Sequence, residues 1–208
     1  MKTFNSLMIV STLFVGLASC EEKTVEVKQP VVANLVENLP ADPVTGVDPN
    51  TGRPSSLGKI TYFSLRENKV VPETDSASTN WDIALKGTTI LTNGGASGPG
   101  NGGAYVADGI FSEMKSIEPS VAFTADSDES LAVPTGSGNG WYNYNPQNNE
   151  VLPIAGKVLF IKTADGKFAK MEILGYYKDM PAIIDRSSQS RYYTFRYAYQ
   201  PDGSRTFE

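Results

Sequence analysis

Residues 80–105, which read NWDIALKGTTILTNGGASGPGNGGAY, constrain the fold more than any other part of the chain. Trp81, Ile83 and Leu85 alternate with other residues, which is the period of a β-strand with one buried face. Gly87 interrupts this pattern, and residues 88–92 resume it with β-branched side chains. A glycine-rich loop follows, and so many glycines indicate positive φ angles or close backbone approach. The stretch therefore predicts two strands and a tightly packed loop.

Strand patterns recur from residue 58 to the end, whereas a helical period of 3.6 is scarcely visible. The clearest hairpin turns at Asp165-Gly166, and its second strand carries Ala169, Met171 and Ile173 on one face and Lys170 and Glu172 on the other. A chain of 208 residues suffices for one domain with a substantial core. We therefore predict an all-β fold, a single antiparallel β domain over 58–208, with strands near 60–65, 69–71, 157–162, 168–177 and 191–200.

The N-terminal sequence MKTFNSLMIVSTLFVGLASC has the pattern of a bacterial lipoprotein signal peptide. Lys2 provides the positive charge, residues 7–17 form an apolar run too short to span a bilayer, and Leu-Ala-Ser precedes Cys20. This pattern predicts a signal peptide over 1–19 and lipidation of Cys20. Residues 20–57 show no sustained period and are rich in Pro, Asn and Asp, so we predict a flexible, lipid-anchored tether there.

Composition excludes several classes of function. The chain contains no histidine, its one cysteine is Cys20, and its net charge is -5. Imidazole bases, histidine-ligated metals and internal disulfides are thus excluded, and nucleic acid is disfavoured as a partner. Only a carboxylate pair or a Ser–Lys arrangement could support catalysis, and the cluster of Asp126, Asp128 and Glu129 reads as a solvated loop. We predict that the protein is not an enzyme.

Two glycine-rich segments are candidate binding loops. Residues 98–103 formally match G-x-G-x-x-G, but the helix that would hold a pyrophosphate does not follow. Residues 136–146 read GSGNGWYNYNP, and their aromatic side chains could offer flat apolar surface to a flat ligand. The alternative is that Trp141 and Tyr144 anchor this loop in the core. The candidate ligand-binding residues are Trp141, Tyr142, Tyr144 and Asn145.

Several short segments, in order, resemble the HmuY family of haem-binding lipoproteins. The resemblance covers nearly all of residues 58–200 and agrees with the lipidation signal around Cys20. The matching segments are Tyr62–Ser64, Val70–Val71, Asn80–Leu85, Gly94–Gly98, Gly102–Ala104, Phe111–Met114, Gly140–Trp141, Lys157–Phe160, Ala164–Lys170 and Tyr193–Tyr197.

The resemblance implies an antiparallel β domain that is tethered to the outer membrane, at the cell surface. Such a protein takes up haem or a related tetrapyrrole in loops at one end and passes it to a TonB-dependent receptor. The iron ligands in this family are implied to be two His or two Met. One ligand position falls near Tyr144–Pro146, and the other within residues 125–138, which contain neither His nor Met.

The available iron donors differ from those of the family. A phenolate of Tyr142 or Tyr144 is chemically reasonable, since a bound metal lowers the pKa of a phenol. Ligation by a pair of Met residues would need a rearranged pocket, with Met114, Met171 and Met180 as the candidates. The remaining alternatives are haem held mainly by apolar contact, and a non-haem binding or adaptor lipoprotein that partners a surface nutrient-uptake system.

Overall fold

A computed structural model describes residues 30–208, which contain only antiparallel strand pairs and one 3-10 turn, η1 (Glu73–Asp75). Among these residues no helix is long and apolar enough to cross a membrane. The prediction of an all-β antiparallel fold is confirmed. The strands are β1 Ala33–Pro40, β2 Gly46–Val47, β3 Pro54–Ser55, β4 Thr61–Ser64, β5 Lys69–Val71, β6 Ile83–Lys86, β7 Thr89–Thr92, β8 Gly103–Asp108, β9 Tyr142–Asn145, β10 Glu150–Pro153, β11 Lys157–Lys162, β12 Phe168–Tyr177 and β13 Ser190–Gln200.

Two sheets enclose the main core. A five-stranded sheet has the order β1-β13-β12-β11-β8, and a four-stranded sheet has the order β5-β4-β6-β7. Phe63 from the smaller sheet meets Phe195 and Tyr197 from the larger one edge-on, with ring centroids 5.7 and 6.3 Å apart. Such edge-to-face contacts add to the hydrophobic burial of the rings. Strand β13 therefore buries its aromatic face, as its alternation predicts.

The other face of the five-stranded sheet is also covered. Residues 110–124 and the C-terminal residues pack over it, so that Phe111, Phe160 and Phe207 share a second apolar cluster. Lys170 lies in this cluster, where its Nζ donates to the carbonyl oxygens of Phe111 (2.7 Å) and Met114 (2.9 Å). Desolvation lowers the pKa of this amine. Lys170 thus lies on the face opposite Ala169 and Met171, as the alternation predicts, but a second layer covers that face of the sheet.

Trp81 also lies elsewhere than its spacing suggests. It precedes strand β6 and packs with Tyr62 at 5.0 Å in a smaller cluster, away from the core cluster that holds Ile83 and Leu85. Its indole Nε1 donates to the carbonyl oxygen of Ser76. Both faces of β6 are buried, so alternation alone could not assign the tryptophan to one of them.

The prediction that residues 20–57 form a flexible tether is wrong for strand β1, whereas residues 20–29 lie outside the described residues. Residues 33–40 pair with β13 at the edge of the large sheet, and Leu39 is buried in the core. A bulge between Val36 and Leu39 breaks the alternation that would otherwise have revealed a strand. The domain thus begins before residue 58. The predicted signal peptide and Cys20 lie outside the described residues.

The glycine-rich loop is packed against its neighbours as predicted. The amide of Gly102 donates to the carbonyl oxygen of Asn93 at 2.8 Å, and Gly95 has a φ of +60°. Asp126 lies beneath this loop, where its carboxylate accepts from the amides of Thr92 and Ala132. Asp126 is 2% exposed, so the prediction of a solvated loop is wrong for this residue. The residues around Asp126 in sequence are polar, but its carboxylate accepts a hydrogen bond from the backbone of β7 that a neighbouring strand would otherwise accept.

The buried carboxyl group of Asp82 makes the stability of the fold depend on pH in a way that can be measured. Burial raises its pKa above 3.8, although it accepts hydrogen bonds from the amides of Ala164 (3.1 Å) and Leu65 (2.8 Å). The folded protein therefore holds this proton at higher pH than the unfolded chain does. Stability that is present below pH 3.8 is lost as the pH rises through the folded pKa.

We therefore expect the free energy of unfolding, relative to that of an Asp82→Asn variant, to fall as the pH rises from 3.8 through this window. Urea unfolding at a series of pH values measures the difference. Carboxyl groups whose pKa is lowered by folding, such as Asp42 and Asp48, stabilise the protein above pH 3.8 and lose that contribution as the pH falls. They are present in both proteins, so subtracting the free energy of unfolding of the variant from that of the wild type leaves the contribution of Asp82. A constant difference across the window would contradict the assignment.

Candidate functional site

The β9–β10 hairpin carries the residues that the sequence proposes as ligand contacts. Trp141 precedes it and is 2% exposed, with its indole Nε1 donating to the carbonyl oxygen of Thr88 at 3.0 Å. The indole ring packs against the rings of Tyr142 and Tyr193, with ring centroids 4.9 and 5.1 Å apart. Trp141 therefore anchors the hairpin in the core, and its ring is not available at the surface.

Tyr142 and Tyr144 occupy different environments. Tyr142 is 8% exposed and pairs with Pro153 across the hairpin. Tyr144 is 41% exposed, pairs with Val151, and donates from its hydroxyl to Asn149 Oδ1 at 2.6 Å. Asn145 is exposed at the turn, where its side chain accepts from the amide of Gln147. Tyr144 is thus the accessible phenol of the two.

The second predicted ligand segment runs beside this hairpin. The amide of Gly138 donates to the carbonyl oxygen of Tyr142 at 2.9 Å, and the amide of Tyr144 donates to Ser137 Oγ at 2.8 Å. The structure therefore brings together the two segments in which the family resemblance places iron ligands. Where they meet, the side chain offered by residues 136–138 is a serine hydroxyl.

An apolar cleft lies on the other side of the hairpin, between β10 and the end of β12. It has an empty volume of about 390 Å³, part of which is open to solvent. We call it the site cleft, and its lining residues are Leu152, Pro153, Leu174, Gly175, Tyr176, Tyr177, Met180, Pro181 and Ile184. Small-molecule sites are concave and mostly apolar, with a few polar groups, and this cleft has that character.

The polar side-chain groups among the residues lining the site cleft are two phenols and one thioether. Burial raises the pKa of Tyr176 and of Tyr177, so both remain protonated phenols at neutral pH. The hydroxyl of Tyr177 also accepts from the amide of Val151 at 3.1 Å, which ties β10 to β12. Met180 is 47% exposed and lies at the cleft edge. Its thioether is a soft donor of the type that binds haem iron in some cytochromes.

Exposed apolar side chains continue the cleft onto the surface. Ile183 is 81% exposed on the loop between β12 and β13, and Leu152 is 44% exposed on β10. The same loop carries the exposed cations Lys178 and Arg186. An apolar surface next to cations suits a flat apolar ligand that has carboxylates at its edge.

A second hollow lies near the β4–β5 turn, with Arg66, Glu67 and Tyr199 among its lining residues. Its empty volume is about 460 Å³. The hydroxyl of Tyr199 is buried there without a hydrogen-bond partner among residues 30–208. Arg66 and Glu67 form an ion pair at 3.3 Å, so this hollow suits an apolar ligand less than the site cleft does.

The sequence places the site on the hairpin and offers Met180 only as one of three methionines for a rearranged pocket, but it does not show that the β12–β13 loop lies beside the hairpin. Met180 and Ile184 carry no motif, and they become neighbours of the hairpin only because β10 packs beside the end of β12 in space. The available signal was the apolar run MPAII at 180–184, flanked by charged and polar residues in a segment between two predicted strands.

Comparison with known proteins gives one family match. The family model described as HmuY protein matches residues 56–197, which is more than half of the chain. Strand β1 precedes the matched range, although it belongs to the same sheet as β13. No curated protein matches the chain.

Several solved structures are similar at low identity. A lipoprotein of Bacteroides fragilis is 19% identical, with 69% of this chain and 85% of that chain covered. An apo HmuY analog of Tannerella forsythia is 16% identical (85% and 100% covered), and an HmuY-like haem-binding protein of Bacteroides vulgatus is 14% identical (84% and 96% covered). All three have a TM-score of 0.46. On the match of the family model, the chain belongs to the HmuY family.

Proposed function

We propose that this protein is a surface lipoprotein that binds haem or a related tetrapyrrole in the site cleft. In this proposal Cys20 carries the lipid that anchors it to the outer membrane, and a TonB-dependent receptor receives the ligand. Family membership supports the ligand class. The observation that carries the proposal is the apolar cleft between β10 and β12, which has a thioether at its edge and exposed apolar side chains beside it.

The residues of the cleft fit the parts of a tetrapyrrole. Leu152, Leu174 and Ile184 offer apolar contact to the face of the macrocycle. Lys178 and Arg186 favour its carboxylates. The cleft would enclose one edge of so large a ligand, and the exposed side chain of Ile183, next to Ile184 of the cleft, would cover more of it.

The iron donors proposed here are Met180 and Tyr144. Met180 offers a thioether and Tyr144 an accessible phenol, whereas the chain has no imidazole at all. A phenolate favours ferric iron, and a thioether favours the softer ferrous ion. Tyr142, which is 8% exposed, could reach iron only after the hairpin had moved.

Titration with haemin tests the proposal. The protein is prepared from residue 21 onward, so that all described residues are present, and the absorbance spectrum is followed as haemin is added. We expect a saturable Soret band that differs from that of free haemin. A spectrum that stays that of free haemin at every ratio would overturn the proposal.

Two conservative variants identify the donor. Met180→Leu keeps the volume of the side chain but removes the sulfur, and Tyr144→Phe removes only the hydroxyl. We expect Met180→Leu to weaken binding of reduced haem about tenfold. We expect Tyr144→Phe to change the spectrum of the ferric complex. A Tyr142→Phe variant serves as the matched control, and unchanged complexes in both test variants would exclude these donors.

The second candidate function is a non-haem binding or adaptor lipoprotein that partners a surface nutrient-uptake system. It is favoured by residues 136–138, which offer a serine hydroxyl where the family resemblance places an iron ligand. Metal-free protoporphyrin distinguishes the cases. If it binds as tightly as haemin, the iron contributes nothing and apolar contact alone holds the ring. If neither binds, the adaptor function is supported.

A further inference from the structure

Strand β1 is joined to the loop at the site cleft by a reciprocal pair of hydrogen bonds. The Asn38 side-chain Nδ2 donates to Asp179 Oδ1 at 2.8 Å, and the Asp179 amide donates to Asn38 Oδ1 at 2.7 Å. Within residues 30–208, these two bonds are the side-chain hydrogen bonds that join residues 178–184 to the rest of the protein. A strand far from the loop in sequence therefore helps to hold it, together with the backbone bond from Lys178 to Gln189 and the packing of Ile184 on the core.

The residues joined by these hydrogen bonds, and Met180 beside them, have left-handed backbone conformations that need support from surrounding contacts. Asp179 and Met180 have φ angles of 60° and 45°, and Asn38 has a φ of 55°. Left-handed conformations are unfavourable for residues with a Cβ, although Asn and Asp tolerate them better than others. Met180 has no such tolerance. Its conformation therefore persists only because contacts around it hold the turn.

The turn fixes where the thioether of Met180 lies. The amide of Met180 donates to the carbonyl oxygen of Tyr177 at 3.1 Å, and its side chain lies over Gly175. A Cβ on Gly175 would come within 2.6 Å of Met180 Cγ, so the methionine occupies space that only a glycine leaves open. A change in the turn would lift the side chain away from the cleft.

We propose that Asn38 is a positioning residue of the ligand site. Through Asp179 it holds residues 178–184, and with them Met180, against the site cleft. Strand β1, the first strand among residues 30–208, thereby controls how long the cleft retains its ligand. The effect on the loop stands by itself, whereas the effect on ligand retention rests on the proposed function.

The test replaces Asn38 with glycine, which keeps the left-handed φ but removes both hydrogen bonds. Asn68→Gly is the matched control, because Asn68 also has a positive φ (50°) and lies in the β4–β5 turn. Hydrogen exchange without ligand and peroxide oxidation of Met180 report on the loop. We expect both to be about tenfold faster in Asn38→Gly and unchanged in Asn68→Gly. The double variant Asn38→Gly, Asp179→Gly should show the same exchange and oxidation rates as Asn38→Gly, because the single change already removes both hydrogen bonds.

Transfer of haemin to apomyoglobin reports on the ligand. We expect its rate to rise about tenfold in Asn38→Gly, with an unchanged thermal midpoint. Unchanged exchange in residues 178–184 would overturn the positioning role. Faster exchange in a protein that binds no haemin would support the positioning of the loop but overturn the proposed function. Faster exchange with an unchanged transfer rate would overturn control of the ligand and leave the proposed function intact.

Discussion

Replacing Gly95 with alanine is expected to destabilise the protein by about 3–5 kcal/mol. Gly95 has a φ of +60°, which costs a residue with a Cβ about 1–2 kcal/mol. The added Cβ would also lie 1.9 Å from the carbonyl oxygen of Asp126, a distance that the backbone can relieve only by moving. That movement would disturb the carboxylate that accepts from Thr92 and Ala132. Urea unfolding measures the loss.

The variant Gly166→Ala separates the cost of the positive φ from the cost of the steric clash. Gly166 has a φ of +84° in the β11–β12 turn, but nothing lies within 4 Å of an added Cβ there. We expect this variant to lose only the conformational part, about 1–2 kcal/mol. Equal losses in the two variants would show that close packing at Gly95 contributes nothing to stability.

Replacing Leu152 with glutamate is expected to weaken haemin binding about a hundredfold, which is about 2.7 kcal/mol. Leu152 lines the site cleft, and a carboxylate there would have to lose its water when an apolar ligand binds. It would also repel the carboxylates of a tetrapyrrole. Leu152 is 44% exposed, so the free protein should tolerate the charge with little loss of stability. Haemin titration measures the affinity.

Val70→Glu is the control for this change. Val70 is 52% exposed on β5, in the four-stranded sheet, and does not line the site cleft. The substitution adds the same charge to the protein, so it corrects for general electrostatic repulsion of haemin. Equal affinities for the two variants would contradict binding in the site cleft.

Much of the fold could be predicted from local pattern. The strands around Ile83 and Phe195 and the turn at Asp165-Gly166 follow from alternation and turn residues, and all lie where expected. Strand β1 could not be predicted, because its bulge shifts the period at Asn38. Lys170 shows a second limit, since its burial depends on a layer contributed by segments distant in sequence.

The candidate site was only partly predictable for a related reason. The aromatic hairpin is visible in sequence, but the pattern cannot tell a buried ring from an exposed one when Trp141 and Tyr144 are three residues apart. Met180 comes to the hairpin through the pairing of β12 with β13 and the turn at Asp179. The residues of this site come from two strand ends and a left-handed turn that are far apart in sequence, so they do not form a motif of fixed spacing.

Hydrogen exchange with and without haemin tests most directly the claim that the site cleft holds the ligand. We predict that haemin slows exchange in residues 142–153 and 176–184, and leaves residues 64–69, near the second hollow, unchanged. Slowed exchange confined to residues 64–69, or none anywhere, would contradict the claim.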